Sequence, residues 1–332
     1  MARIDEVAKA AGVSISTVSY ALSGKRPVSA DTRRRIEEAV QQLGYQANAG
    51  ARMLAGSRTQ IFALTEPFRA DTHAPTHMAF VLGTSIAARQ VGYDILLLTD
   101  AEASAGMQRV ASSGLVDGII VLDVAPDDDR AALARSIDIP TVFIGIPDEH
   151  DGLVCVDFDF EGAVGLALDR LIAAGHQRIG MLGHPERTYE VSNFPPRARD
   201  AFLERLDVEG SEAVFVPIET TAHEALDRLL AAGVTGIILQ TTQEAHAEVT
   251  QELAERGVRV PEDISLISVG ATFDMESFET PLDAIPLVPQ PSCDRAVELI
   301  MQMLEDRDLP AGIHLIDPTY TDRGSVSPIR AH

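Results

Sequence analysis

The segment Ile4-Asp5-Glu6-Val7-Ala8-Lys9-Ala10-Ala11-Gly12-Val13-Ser14, followed at once by Ile15-Ser16-Thr17-Val18-Ser19-Tyr20-Ala21-Leu22, admits few folds. Apolar or small residues at Ile4, Val7, Ala8 and Ala11 line one helical face, and Val18, Ala21 and Leu22 repeat the i, i+3, i+4 spacing beyond Gly12. Gly12 can take the backbone conformation that a tight turn needs, and the Ser14 hydroxyl can cap the following helix. Two short helices joined this way form a helix-turn-helix, whose second helix fits a DNA major groove. Ser29 then reads as the cap of a third helix over 30–43, in which Ile36, Ala39, Val40 and Leu43 close a three-helix core before Gly44 ends it.

Charge is divided along the chain. Residues 1–60 hold nine Lys and Arg against five Asp and Glu, a net of +4, while the whole chain carries −23, leaving −27 for the remainder. So acidic a body repels phosphate, which confines nucleic-acid contact to the N-terminal unit. At 332 residues and 45% hydrophobic content, the chain can build two or three domains with separate cores. No apolar run of about 18 residues occurs. Met1-Ala2-Arg3 leads into an amphipathic helix instead of a signal-peptide core, so a cytoplasmic location without membrane contact is expected. The only cysteines, Cys155 and Cys293, lie in no Cys-x-x-Cys or Cys/His cluster and read as reduced, buried thiols.

Three regions are expected: a helix-turn-helix head over 1–46, a small-residue linker or marginal helix over 47–59, and a body over 60–332. From Ile61 the pattern changes to short apolar runs alternating with amphipathic segments, as expected of parallel strands beneath crossover helices. Strands are predicted at 61–65, 94–99, 118–122, 141–145, 178–182, 213–216, 236–239 and 264–269. Helices are predicted at 77–91, 105–113, 128–136, 160–174, 196–206, 222–232, 244–256 and 293–305. Leu115-Val116-Asp117-Gly118-Ile119-Ile120-Val121 is echoed by Gly233-Val234-Thr235-Gly236-Ile237-Ile238-Leu239, which suggests two similar α/β lobes. The first lobe is placed at about 60–158 plus 287–309 and the second at about 159–286 plus 310–332. A ligand of such lobes sits in the cleft at the carboxyl ends of the strands.

Specific residues carry a family resemblance. Val7-Ala8, Ala11-Gly12-Val13-Ser14, Thr17-Val18-Ser19, Val28-Ser29, Thr32-Arg33, Leu43-Gly44-Tyr45, Asn48, Ala51 and Leu54 resemble the head of the LacI/GalR family of bacterial transcriptional regulators. Looser matches continue through Ala174-Gly175-His176-Gln177-Arg178-Ile179, the run from Gly257 to Ser265, and Arg323-Gly324-Ser325. The resemblance implies a helix-turn-helix head on a two-lobed core like that of periplasmic binding proteins. It also implies a homodimeric, ligand-responsive repressor that binds a near-palindromic, double-stranded DNA operator. In that setting Ile15, Ser16 and Tyr20 face base edges, and Thr17 and Ser19 approach phosphate or adjacent bases. Ser14, Arg33, Tyr45, Asn48 and Ala51 complete the implied DNA-binding set. Tyr20 stands where the family often has Arg, and a phenol cannot make the bidentate contact of Arg to guanine, so the preferred half-site differs from the lactose operator type. The stretch 48–55 matches the family's hinge helix, with Leu54 as the apolar wedge inserted into a central minor-groove step.

The effector site departs from the family pattern. Thr241-Thr242-Gln243 replaces a common Ala-Asn-Asp, and Ser268-Val269-Gly270-Ala271 replaces a common Gly-Phe-Asp-Asp. The candidate effector residues are Phe68, Asp123, Asp159, Arg197, Gln240 and Asp274, all expected just past the carboxyl ends of strands. An aromatic plate, carboxylates and a guanidinium suit a sugar, through stacking on its CH face and paired bonds to adjacent hydroxyls. His73 and His77 have the i, i+4 spacing of a metal pair, but no third ligand is in view, and no metal or cofactor is assigned. With no Gly-x-Ser-x-Gly, Walker loop or paired-His motif with a Glu, the chain is read as a binder and not an enzyme; a secreted sugar-binding protein is disfavoured by the head. No heptad follows Ser325, so a coiled-coil tetramer is not expected.

Overall fold

The computed structural model describes residues 2–23, 26–45, 58–68, 73–99, 103–306 and 309–329. The head consists of α1 (Ile4–Ala11), α2 (Ile15–Ser23) and α3 (Ala30–Leu43). Gly12 and Gly44 take φ of +65° and +58°, the left-handed conformation that ends α1 and α3. Ser14 Oγ accepts from the Thr17 N–H at 3.1 Å, and Ser29 Oγ from the Thr32 N–H at 3.2 Å. Val7, Val18, Ile36 and the ring of Tyr45 fill the small core. Leu22 and Leu43, expected in that core, instead stand outside it in the last turns of α2 and α3, 44% and 37% exposed.

The body holds two parallel sheets, as the apolar runs require. The first comprises β1 (Ile61–Thr65), β2 (Asp94–Leu98), β3 (Gly118–Val121), β4 (Thr141–Ile144), β5 (Val154–Phe158) and β11 (Gly312–Ile316), in the order β11-β5-β4-β3-β1-β2. Its first four strands are connected by α4 (Ala74–Gln90), α5 (Ala103–Ser113) and α6 (Asp129–Ser136). The second comprises β6 (Arg178–Pro185), β7 (Glu212–Ile218), β8 (Gly236–Leu239), β9 (Ser265–Val269) and β10 (Asp283–Ile285), in the order β10-β9-β8-β6-β7. Its helices are α7 (Phe160–Ala173), α8 (Thr188–Val191), α9 (Phe194–Glu209), α10 (Ala222–Ala231) and α11 (Gln243–Glu255); α12 (Pro289–Glu305) returns to the first sheet.

The central strands of each sheet are buried on both faces. In β1, Phe62 and Leu64 enter one cluster and Ala63 the other, and in β3 Ile120 faces opposite to Ile119 and Val121. Continuous Val/Ile/Leu runs are the sequence consequence of such two-sided burial. Gly83 of α4 lets α12 approach closely: a Cβ there would lie 2.9 Å from Cys293 Sγ. Among the described residues, no helix is long and apolar enough to cross a membrane.

The expected lobe division needs one correction. Strand β11, assigned by the sequence reading to the second lobe, pairs in parallel with β5 and forms an edge of the first sheet. Only beyond Ile316 does the chain return to the second sheet, where Thr321 bridges Ala284 and the backbone N–H groups of Arg323 and Ser325 donate to Asp283 Oδ1 at 2.7 and 2.9 Å. The chain thus crosses between lobes three times: after β5, between β10 and α12, and after β11. The sequence pattern does not mark β5, which Asp157 interrupts, β10 and α8, which are three and four residues long, or β11, whose burial alternates along a sheet edge.

A buried ion pair fixes the carboxyl ends of β1 and β3. The Arg130 guanidinium forks Asp128 at 2.8 and 2.6 Å, and also donates to Thr65 Oγ1 at 3.0 Å and to the carbonyls of Leu122 and Asp123 at 2.9 and 2.8 Å. Both side chains are 3% exposed. Burial pushes the Asp128 carboxyl upward, but Arg130 and backbone donors outweigh it and hold it below the usual range. Arg130→Ala should lower the unfolding free energy of the first lobe by about 3–5 kcal/mol, since Asp128 would keep its burial without its partner. Chemical denaturation of wild type and variant checks this; a difference under about 0.5 kcal/mol, the range of ordinary surface substitutions, would contradict it.

Candidate functional site

The head and the interlobe cleft each present a surface with no structural role that accounts for it. On the head, Ser14, Ile15 and Ser16 are exposed at the start of α2, Ile15 to 51%, while Thr17, Ser19 and Tyr20 are half-buried. An isoleucine standing in water on a helix amino end is costly unless covered. Arg26 lies over the Tyr20 ring, 5.1 Å from its centroid, so the phenol carries a cation beside it. Arg33 is exposed on α3. Tyr45 belongs to the head's core, 7% exposed, and burial raises its phenol pKa. Ser14 Oγ is engaged as a cap. Asn48, Ala51 and Leu54 lie outside the described residues.

Between the lobes lies a cavity of about 420 Å³. The first lobe lines it with Glu66 after β1, Asp123 and Val124 after β3, Asp157 of β5, and His73, Thr76, His77 and Phe80 at the start of α4. The second lobe contributes Phe160, His184, Arg187, Asn193, Phe194, Thr241, Thr242 and Phe273. Phe160 and Phe194 stack at 4.9 Å, and His184 meets Phe194 edge-on at 5.2 Å. Contacts span the cleft: Thr76 Oγ1 to Thr272 Oγ1 at 2.9 Å, and Asn193, whose N–H reaches Val124 O at 3.0 Å and whose Nδ2 reaches Ile146 O at 2.8 Å.

Of the six effector residues proposed from sequence, Asp123 alone lines the cavity. Its φ is +49°, a left-handed conformation unusual for a non-Gly residue. Asp159 and Asp274 are helix caps, accepting from the Gly162 and Glu276 N–H groups at 2.8 and 2.9 Å. Phe68 is 36% exposed and stands apart from the cavity walls. Arg197 acts behind the wall: it donates to Asp157 at 2.5 Å and pairs with Glu161 at 2.7 Å. Burial pushes the Asp157 carboxyl up to about 6 against the pull of Arg197. For Glu161 burial pushes the same way, but Arg197 wins and holds its pKa low. Gln240 is 1% exposed, and neither amide atom has a hydrogen-bond partner; Thr241 Oγ1, beside it at the wall, also lacks one.

Glu66, His184 and the four phenylalanines are not among the residues the sequence singles out, and His73 and His77, noted there only for their spacing, also line the cavity. Glu66 was legible as the residue following β1, the same criterion that selected Asp123. Both thiols are buried, and burial pushes Cys155 up to about 12 and Cys293 up to about 11, so neither is reactive at neutral pH.

Comparison with known proteins covers nearly the whole chain. Residues 3–48 match the pattern of bacterial regulatory proteins of the lacI family, residues 64–193 that of periplasmic binding proteins and the sugar binding domain of the LacI family, and residues 168–326 a periplasmic binding protein-like domain. The HTH-type transcriptional regulator AglR of Rhizobium meliloti is 29% identical over 84% of this chain and 81% of its own length. The HTH-type transcriptional regulator CelR of Thermobifida fusca is 27% identical over 85% and 86%. Among solved structures, the lac repressor dimer bound to operator and the anti-inducer ONPF is similar with a TM-score of 0.78, at 22% identity over 98% of this chain and 99% of that one. A CelR–cellobiose complex is similar with a TM-score of 0.66, at 22% identity over 98% and 100%.

The cavity wall leans on a buried imidazole. His246 is fully buried, donates from Nδ1 to Thr242 O at 2.8 Å, accepts at Nε2 from the Ser268 hydroxyl at 2.9 Å, and meets Phe273 edge-on at 4.9 Å. Burial lowers its pKa to about 4. The unfolded chain therefore takes up a proton, between about pH 6.5 and 4, that the folded chain refuses, so stability falls as pH falls through that window. The loss attributable to His246 is roughly 3 kcal/mol. Thermal melts from pH 7 to 4.5 should show a steep acid decline that flattens in His246→Asn; parallel declines would contradict this assignment.

Proposed function

We infer the function from the premise that this chain belongs to the LacI family of bacterial regulatory proteins: it is a ligand-responsive transcriptional regulator, and within that class a homodimeric repressor whose operator affinity is set by a carbohydrate in the interlobe cavity. The observation that carries the ligand part is Thr241, a residue of the cavity wall whose hydroxyl oxygen is buried and without a partner. A buried hydroxyl left unpaired costs free energy that a hydroxylated ligand would restore. Phe194 and Phe273 offer ring surface for the CH face of a sugar, and Asp123 a carboxylate for its hydroxyls.

For the DNA part, exposed Ile15 and Ser16, with Tyr20 beside them, are the residues of α2 that would meet base edges, and Arg33 would meet phosphate. Ser14 and Tyr45 would serve this surface from behind, one as helix cap and the other as core. Asn48, Ala51 and Leu54 would supply the hinge and its wedge. A dimer is favoured by the outer face of α4, where Met78, Leu82 and Ile86 recur at i, i+4, i+8 and are 39%, 58% and 46% exposed, with Leu96 of β2 at 37%. Such a stripe is stabilised when a second copy covers it.

A ligand that favours one lobe arrangement would change whether two hinge segments can pair on DNA, and the resulting shift in operator affinity measures the coupling free energy. Thermal-shift screening of the full chain against mono- and oligosaccharides tests the proposal. At least one should raise the melting temperature, because a ligand that binds only the folded state stabilises it by mass action, and the same sugar should change operator affinity in a gel-shift titration at fixed salt. No response across the set, or a stabilising sugar that leaves operator affinity unchanged, would contradict it.

A further inference from the structure

We propose that Glu66, His77 and Asp123 form a site for one divalent first-row transition-metal ion in the cavity wall, from which the ion presents open coordination positions to an oxygen-donor ligand. This deepens the effector reading and rests on the same cavity.

Three elements bring the donors together: Glu66 follows β1, Asp123 follows the neighbouring β3, and His77 lies in the first turn of α4. One ligating atom from each lies within 4.8 Å of the others. Two ligands about 2.1 Å from a common ion lie roughly 3–4 Å apart, so closure around an ion requires side-chain shifts of about 1–2 Å at most. His77 Nδ1 already lies 2.8 Å from Glu66 Oε1. The Glu66 side chain is 1% exposed and that of His77 21%. A carboxylate so buried is costly to hold charged, and a cation beside it offsets that cost.

Asp123 is aimed by its backbone, because Arg130 holds its carbonyl at 2.8 Å and its φ is left-handed. All three side chains also line the cavity, so an ion held by them faces the space that a ligand would occupy. One imidazole with two carboxylates suits Zn²⁺, Co²⁺ or Mn²⁺ better than Ca²⁺ or Mg²⁺, which prefer oxygen throughout. The ligand that completes the coordination would be a chelator such as a hydroxy acid, a sugar acid or a vicinal diol.

The test uses the full chain, stripped with a chelator and then titrated with Zn²⁺ by calorimetry and with Co²⁺ by visible absorbance. One ion per chain is expected, with affinity weakened about tenfold or more in Glu66→Gln and in His77→Gln. Asp123→Asn should weaken it likewise, and it keeps a residue that tolerates the left-handed conformation. Melting temperatures without metal identify any variant that fails to fold. Absence of binding by the wild type, or binding unchanged in all three folded variants, overturns the site. If Zn²⁺ fails to bind while a neutral sugar still raises the melting temperature, the ion site is lost and the effector reading stands; if Zn²⁺ binds and no sugar does, the ion site stands without it.

Discussion

A single guanidinium ties the two lobes together beside the cavity. Arg197 of α9 belongs to the second lobe, yet it donates to Asp157 on β5 of the first sheet as well as to Glu161 on α7. It also stands over the Phe160 ring, 5.9 Å from its centroid. Asp157 and Phe160 flank the point where the chain first crosses between lobes, and both line the cavity. The Arg197 side chain is 19% exposed and that of Asp157 10%, so this pair is held largely away from water and each charge depends on the other. Relative movement of the lobes must stretch this network or rotate about it. After the last crossing the fully buried Asp283 carboxylate gathers the backbone of Arg323 and Ser325 and anchors the chain to the second sheet.

Much of the fold was legible from periodicity. Strands β1 and β8 fall at their predicted residues, and the others in the set lie within three of theirs. Two-sided burial makes such runs unmistakable. What was not legible had a local cause. Strand β5 carries Asp157 in an otherwise apolar run, and only the tertiary fold supplies the Arg197 that makes this tolerable. Strand β11 alternates, with Ile313 and Leu315 more than 40% exposed, as suits a sheet edge and not a core strand.

The cavity was less legible than the frame. Position after a strand identifies a residue near the cleft, but not whether its side chain enters it. Asp159 and Asp274 satisfy that criterion and turn their carboxylates to backbone N–H groups instead. His77 and Phe80 enter from a helix start, where no strand-end rule applies. The head behaved differently, because the turn glycine, the Ser14 cap and the apolar spacing of three short helices are all local. Its tertiary surprises were Leu22, Leu43 and the buried ring of Tyr45.

The division of charge gives the two units their separate roles: a cationic head beside a body of net −27 favours contact with DNA through the head alone. In the proposed reading a head of this size would read only a half-site, and the whole chain would bind a specific sequence through two heads related by symmetry. The most direct test is selection of DNA ligands from a random duplex pool by the full chain, followed by sequencing. The account predicts enrichment of two half-sites in inverted repeat at fixed spacing, differing from the lactose operator at the position assigned to Tyr20 in the proposed reading. Enrichment of a single unrepeated half-site, or no sequence enrichment above non-specific binding, would contradict it.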